Sequence, residues 1–167
     1  MSPVTVVQRG PSPNRRARKA PSITAIVIHD TGSHSAESAI SWLCNTASGV
    51  SAHYVIDRDG TIYNVVPDAE CAWHAGASEL FGVSNVNEFS IGIEVVDADD
   101  RAADPYPTVQ LDAVVALTSD LVRRYQITLN HIVGHADVAV PHRRKIDPGP
   151  DFPWYDFLIR VALGVSK

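Results

Sequence analysis

The sequence predicts an α/β fold, a single domain with a central mixed β-sheet flanked by α-helices. Two observations carry this expectation. Short runs rich in β-branched apolar residues, at 23–29, 90–96 and 131–134, alternate with longer stretches of helical periodicity, the pattern of strands interleaved with crossover helices. A further pair of strand signals is joined by the tight turn Asp59-Gly60, which brings an antiparallel pair into that sheet. The length of 167 residues is that of one domain, and a domain of about 150 residues buries about 70% of the surface that its unfolded chain exposes. Such a core stands without disulfides or a structural metal.

Residues 1–22 read as a Pro-containing lead-in and residues 23–167 as the domain proper; no repeat, low-complexity tract or linker divides the chain. ITAIVIH (23–29) is a buried strand ending on His29, by its β-branched, nearly continuous apolar run. Ala36, Ala39, Ile40, Leu43, Cys44 and Ala47 then recur at helical spacing after Ser35, a good N-cap, and Gly49 stops the pattern. AHYVIDRDGTIYNVV (52–66) is a hairpin, and SIGIEVV (90–96) is a central strand. Leu111, Val114, Val115, Leu121, Val122 and Tyr125 share one helical face within 108–125, and HIVG (131–134) gives another strand. Residues 135–153 are expected to form a loop, because Pro141, Pro148, Gly149, Pro150 and Pro153 break periodic structure. A last helix covers 154–163.

Composition excludes several classes of function. No run approaches the roughly 18 apolar residues of a membrane span. The formal net charge is −5, but Arg9, Arg15, Arg16, Arg18 and Lys19 all lie in the first 19 residues, leaving 9 basic against 19 acidic groups in the rest. A body with that balance is not expected to bind nucleic acid, whose affinity comes from clustered Lys and Arg. The basic lead-in is either a solvated loop or a contact for an anionic surface. Its sequence lacks the apolar stretch and cleavage site of a signal peptide, so a cytoplasmic location is expected. Cys44 and Cys71 have no metal-site or disulfide spacing and read as idle thiols.

Four polar residues stand where a bland fold would not put them. His29 ends an apolar strand, His135 directly follows HIVG, Asp147 lies in the Pro/Gly loop, and Glu94 interrupts SIGIEVV. In α/β sheets reactive groups gather at strand ends and in the loops beyond them. Two imidazoles and a carboxylate make a zinc set with an open fourth position; from the residues alone, strand-end histidines bonded to backbone and an Asp turn residue remain equally open readings. Alternation puts Ile91, Ile93 and Val95 on one face and Ser90, Gly92 and Glu94 on the other. A carboxylate on a covered face either pairs or has its pKa raised, as a general base near neutral pH requires, and Gly92 leaves space beside it for a ligand. An edge-strand Glu facing water is the competing reading. Lys145 is close enough to Asp147 in sequence to steady an oxyanion, or is part of an ordinary basic run with Arg143 and Arg144. WHAG (73–76) offers a stacking ring and an imidazole.

Taken in order, SPN with its downstream basic residues (12–19), IVIHDTG (26–32), SAHYVIDRDGTIY (51–63), AWHAG (72–76), SIGIEVV (90–96), VGHADV (133–138) and KIDPGPDFPW (145–154) resemble the zinc-dependent N-acetylmuramoyl-L-alanine amidases. That family takes in AmpD-like muropeptide-recycling amidases, phage endolysins and the related peptidoglycan recognition proteins. The resemblance implies the amidase-like fold and a catalytic zinc amidase domain over 23–167. It implies that His29, His135 and Asp147 bind Zn²⁺, that Glu94 is the general base and that Lys145 steadies the tetrahedral intermediate. It further implies that SPN packs on the domain and that His53, Trp73 and His74 line the substrate groove. At Ala52, where other branches carry a catalytic Tyr, this chain follows the recycling-type branch, which relies on the Glu; the loop ADVAVPHRR (136–144) makes His142 a rival ligand ranked below Asp147. The expected partner is a peptidoglycan or muropeptide substrate, met as a monomer, and the expected reaction is hydrolysis of the lactyl–L-Ala amide. Cytoplasmic recycling and phage-encoded release to the wall through a holin both remain open as its context.

Overall fold

In the computed structural model, which describes residues 4–97 and 106–166, the elements follow one another as β1 (Val7–Gln8), β2 (Arg15–Ala17), β3 (Ala25–Asp30), α1 (Ala36–Leu43), β4 (Tyr54–Ile56), β5 (Ile62–Asn64), β6 (Glu70–Ala72), β7 (Glu79–Leu80), β8 (Val83–Ser84), β9 (Ser90–Val95), α2 (Thr108–Tyr125), β10 (Ile132–Gly134), α3 (His135–Val138) and α4 (Trp154–Val165). Among the described residues, one sheet has the strand order β1-β5-β4-β9-β3-β10. It is mixed, as expected: the β4–β5 hairpin pairs antiparallel, and the other neighbours in this sheet pair parallel. No helix among the described residues is long and apolar enough to cross a membrane.

Strand alternation divides the core. Ile26 and Ile28 of β3 and Ile91, Ile93 and Val95 of β9 face α2 and α4, where Val114, Leu117, Leu121, Phe157 and Val161 complete one continuous cluster. The opposite face is not continuous. Ala36, Ala39, Ile40 and Leu43 of α1 pack there on Ala52, Val55 and Val65, while Ala25 and Val27 pack separately with Ala75, Leu80, Val86 and Val138. In the register of β3 and β9, Ala25 pairs with Ser90, Val27 with Gly92 and His29 with Glu94. The polar residues of both strands therefore share this face and meet where its apolar packing is interrupted.

Two sequence expectations need correction. The first helix ends at Leu43, well before Gly49: it starts as expected at Ser35, whose side chain accepts from Ser38 N–H, but Cys44 closes it and Asn45 caps a separate 3₁₀ turn, Thr46–Ser48. Gly49, at φ 63°, ends that turn instead. Residues 135–153 are not all loop, because α3 forms directly after β10, with the Asp137 carboxylate accepting the Gly134 N–H at 2.8 Å.

The lead-in is built into the domain. Ser12 Oγ donates to Leu43 O at 2.6 Å, and the Asn14 amide donates to Asn45 O and Val50 O, both at 2.8 Å. The first satisfies a carbonyl that the end of α1 leaves open, and the others tie the lead-in to the segment that follows the helix. The Arg18 guanidinium donates to the carbonyls of Asp68, Asn87, Glu88 and Ser90. Arg9, Arg15 and Arg16 pair with Glu37, Glu70 and Glu88. Arg9, Arg15, Arg16 and Arg18 thus have partners within the domain and do not form a free basic tail.

Candidate metal centre and active site

Each candidate residue owes its position to a particular local device. His29 is carried inward by β3 and is 2% exposed. His135 follows Val133 on the same face of the sheet edge, Val133 being paired with Val27, and the α3 turn holds its imidazole over the end of β3. Asp147 comes from the Pro/Gly loop, which is tied down on both sides. Ala136 N–H donates to Asp147 O at 2.9 Å, and Gly149 N–H donates to the Asp30 carboxylate at 3.1 Å.

The three side chains converge. His29 Nδ1 lies 3.1 Å from His135 Nδ1 and 3.1 Å from Asp147 Oδ2, and His135 Nδ1 lies 3.0 Å from the same Oδ2. Tetrahedral zinc with bonds of about 2.0–2.1 Å spaces its ligand atoms roughly 3.3–3.4 Å apart, so this triangle needs only slight opening to accept the ion. Its donor chemistry also fits. His135 Nε2 faces the Ala75 carbonyl at 3.2 Å, which only accepts, so the ring proton is on Nε2 and the Nδ1 lone pair is turned to the carboxylate. A cation placed between that lone pair and the carboxylate oxygen would satisfy both. Burial pushes the Asp147 carboxyl up, but the His135 and His29 rings in contact with it outweigh burial and hold it below the usual carboxylate range, in its ionised form. Burial likewise keeps His29 neutral. Among the described residues, His29, His135 and Asp147 are the group able to offer three such ligand atoms to one metal ion. His142 is exposed and outside this group.

The cluster forms the floor of an open cleft of about 400 Å³, whose walls include Glu94, Lys145, Trp42, Trp73 and Arg144. Glu94 stands beside His29 on the neighbouring strand and beside Val55 on the other side. It is on a central strand, so the edge-strand reading is excluded. Burial raises its carboxyl well above the usual range; the negative charges of Asp147 and Asp30 push the same way and Lys145 opposes them. A carboxyl raised in this way holds a proton more strongly than a free one, as a general base requires. Lys145 lines the cleft from the loop that carries Asp147.

One expectation for the groove is corrected. His53 is 0% exposed and does not line the cleft. Its Nδ1 accepts the Gly92 N–H at 2.9 Å and its Nε2 faces Glu70 O at 3.1 Å, so it is a neutral core imidazole joining β9 to β6; burial lowers its pKa to about 3, with Arg18 adding to the effect. His74 touches the cleft but is 7% exposed, and both of its ring nitrogens are engaged inside the protein. Trp73 does line the cleft. The space beside Gly92 holds the His74 ring: a Cβ on residue 92 would meet that ring at 2.4 Å. Ala is usually favoured over Gly in a strand by roughly 0.5–1 kcal/mol, but here the clash wins. Gly92→Ala is expected to cost about 1–3 kcal/mol of stability, measured by denaturant unfolding; unchanged stability would mean that the ring has room to move.

Trp42 was not anticipated. It is 59% exposed, off the buried stripe of α1 and at the cleft wall. A large aromatic residue outside an apolar stripe is the signal that could have found it. Arg144, read as part of a surface run, also lines the cleft and donates to Val140 O, Ala75 O and Ala77 O.

Known proteins resemble this chain in sequence and in fold. The sequence profile of the N-acetylmuramoyl-L-alanine amidase family matches residues 18–150. The 1,6-anhydro-N-acetylmuramyl-L-alanine amidase AmpD of Citrobacter freundii is 42% identical over 118 residues, covering 71% of this chain and 60% of the relative. A crystal structure of a selenomethionine AmpD derivative superposes with a TM-score of 0.81 at 32% identity, covering 93% of each chain. The amidase AmiD of Escherichia coli, solved with the substrate anhydro-N-acetylmuramic acid-L-Ala-D-γ-Glu-L-Lys, gives 0.75 at 34% identity over 87% of this chain and 60% of that one. The chain thus spans about 60% of the length of the AmpD and AmiD relatives it matches in these alignments.

Proposed function

The chain belongs to the N-acetylmuramoyl-L-alanine amidase family, and from that premise we propose that it hydrolyses the amide joining the lactyl group of N-acetylmuramic acid to the L-alanine of a peptidoglycan stem peptide. The observation that carries the proposal is the convergence of His29, His135 and Asp147 at the floor of a cleft that Glu94 and Lys145 also line. The likeness to AmiD, whose solved complex holds an anhydro-muramoyl peptide, supports a muropeptide as the substrate.

On this reading His29, His135 and Asp147 hold a zinc ion. Two imidazoles and one carboxylate leave a position open, the mark of a catalytic rather than a structural zinc site. When bound, zinc supplies Lewis acidity, polarising an amide carbonyl and bringing the pKa of a water toward ~7. Glu94 takes the proton from the attacking water as the new C–O bond forms. Lys145 offers its ammonium to the negative charge developing on the carbonyl oxygen. Glu94 then gives the proton to the amine nitrogen of L-alanine as the C–N bond breaks. The products are a muramic acid with a free lactyl carboxylate and a stem peptide with a free amino terminus. Trp42 and Trp73 give the cleft flat apolar surfaces on which a sugar ring or peptide backbone can lie.

A zinc peptidase acting within the stem peptide would use the same metal chemistry without the sugar. The two differ in what they require of the substrate. Turnover of N-acetylmuramoyl-L-alanyl peptides with none of the free stem peptide is expected; turnover of the free stem peptide would favour the peptidase. No turnover of either substrate by the zinc-loaded chain would leave a binding module.

A further inference from the structure

His74 was expected to face substrate, but its surroundings give it another task. Its ring packs edge-on to His29, with centroids 5.2 Å apart at 87°. His29 Nε2 lies 3.1 Å from His74 Nδ1, and His74 Nε2 lies 3.1 Å from Ser90 Oγ, which is itself 2.7 Å from Val86 O. The protons in this chain are fixed from its far end. A carbonyl only accepts, so the single Ser90 proton goes to Val86 O, and Ser90 Oγ is left to accept from His74 Nε2–H. The neutral His74 ring then has a bare Nδ1, which accepts from His29 Nε2–H. That leaves the lone pair of His29 on Nδ1, the atom facing His135 and Asp147.

We propose that His74 is a positioning residue which, anchored by Ser90, holds His29 in the tautomer that presents Nδ1 to a metal. The inference rests on the metal reading above and deepens it. A ligating imidazole needs its other ring N–H accepted by something rigid. His135 uses the Ala75 carbonyl for that purpose, and His29 uses His74. With little exposure and both nitrogens committed, His74 has no hydrogen-bonding capacity left for a substrate. Gly92 belongs to the same device, since the absence of a Cβ there makes room for the ring.

Two measurements test the assignment together. In metal-free wild-type protein, long-range proton–nitrogen NMR of the histidine rings should find the proton on Nε2 of both His29 and His74. Zinc affinity, measured by competition with a chromophoric chelator, should fall about 10–100-fold in His74→Phe and also weaken in Ser90→Ala. In His74→Asn, whose carbonyl oxygen takes the place of Nδ1, it should recover toward the wild-type value. A wild-type affinity in folded His74→Phe, or a proton on Nδ1 of His29 in the wild-type spectrum, would overturn the proposal. The spectrum is read on the wild-type chain, so it decides the matter even where His74→Phe does not fold. His29→Ala separates this failure from failure of the metal reading: equal zinc binding by His29→Ala and wild type removes the metal site itself, whereas loss in His29→Ala with none in His74→Phe removes only the relay.

Discussion

Glu94→Gln is expected to lower turnover of a muramoyl-peptide by about 10²–10⁴-fold, the range in which a positioned general base contributes, while zinc stays bound with nearly wild-type affinity. The amide keeps the size of the side chain beside His29 and leaves the ligand triangle untouched, but it takes up no proton. The same substitution has an opposite effect on the metal-free fold. Burial first, and then the negative charges of Asp147 and Asp30, raise the Glu94 carboxyl well above its ordinary range. Between that ordinary range, about 4.3, and the raised value, the native state holds a proton that the unfolded chain has released. Glu94 therefore makes stability fall as pH rises through the window. Glu94→Gln removes that fall, so metal-free Glu94→Gln should be more stable than metal-free wild type at pH 7, with little difference below pH ~4. Parallel melting curves at the two pH values check the sign; equal stability at both would mean that the carboxylate is well solvated.

His29→Ala is expected to abolish stoichiometric zinc binding and with it activity. The substitution removes one corner of a triangle whose sides are 3.1, 3.1 and 3.0 Å, leaving two ligands where a catalytic zinc site has three. Chelation of the wild-type chain should have the same effect, reversed by added zinc, and should leave the fold intact. The main core cluster lies on the other face of the sheet, built from Ile26, Ile28, Ile91, Ile93 and the residues of α2 and α4. A chelated protein that unfolds would point to a structural ion. Retained zinc and activity in His29→Ala would remove the site from the mechanism.

What was legible in the sequence follows the range of each signal. Alternation along SIGIEVV put Glu94 on the face opposite Ile91, Ile93 and Val95, and the register of β9 with β3 and β4 bears that out. His29 and His135 were visible as strand-end residues. Asp147 was singled out by its place in the Pro/Gly loop, but a turn residue was an open reading there, because a loop residue carries no periodic signal and its place depends on contacts with Ala136 and, through Gly149, Asp30; the family resemblance decided between the two. His53 was misread, and the buried partners of His74, which does line the cleft, went unseen, for a physical reason. A sequence gives the identity of an imidazole but not whether its nitrogens meet solvent or other buried groups, and here Gly92, Glu70 and Ser90 take them. Gly92 was rightly seen as making space, but the space belongs to a side chain far away in sequence. The strands of the lead-in, two and three residues long, are too short for periodicity to reveal, and so is the four-residue α3.

The central claim is that this chain cuts the lactyl–L-alanine amide, and the mass of the products tests it most directly. Zinc-loaded protein incubated with an N-acetylmuramoyl-L-alanyl peptide in ¹⁸O-water should release an intact, unlabelled stem peptide beginning with L-alanine. The muramic acid should carry one ¹⁸O in its lactyl carboxylate. Unchanged substrate, or label incorporated at a bond within the peptide, would contradict the account.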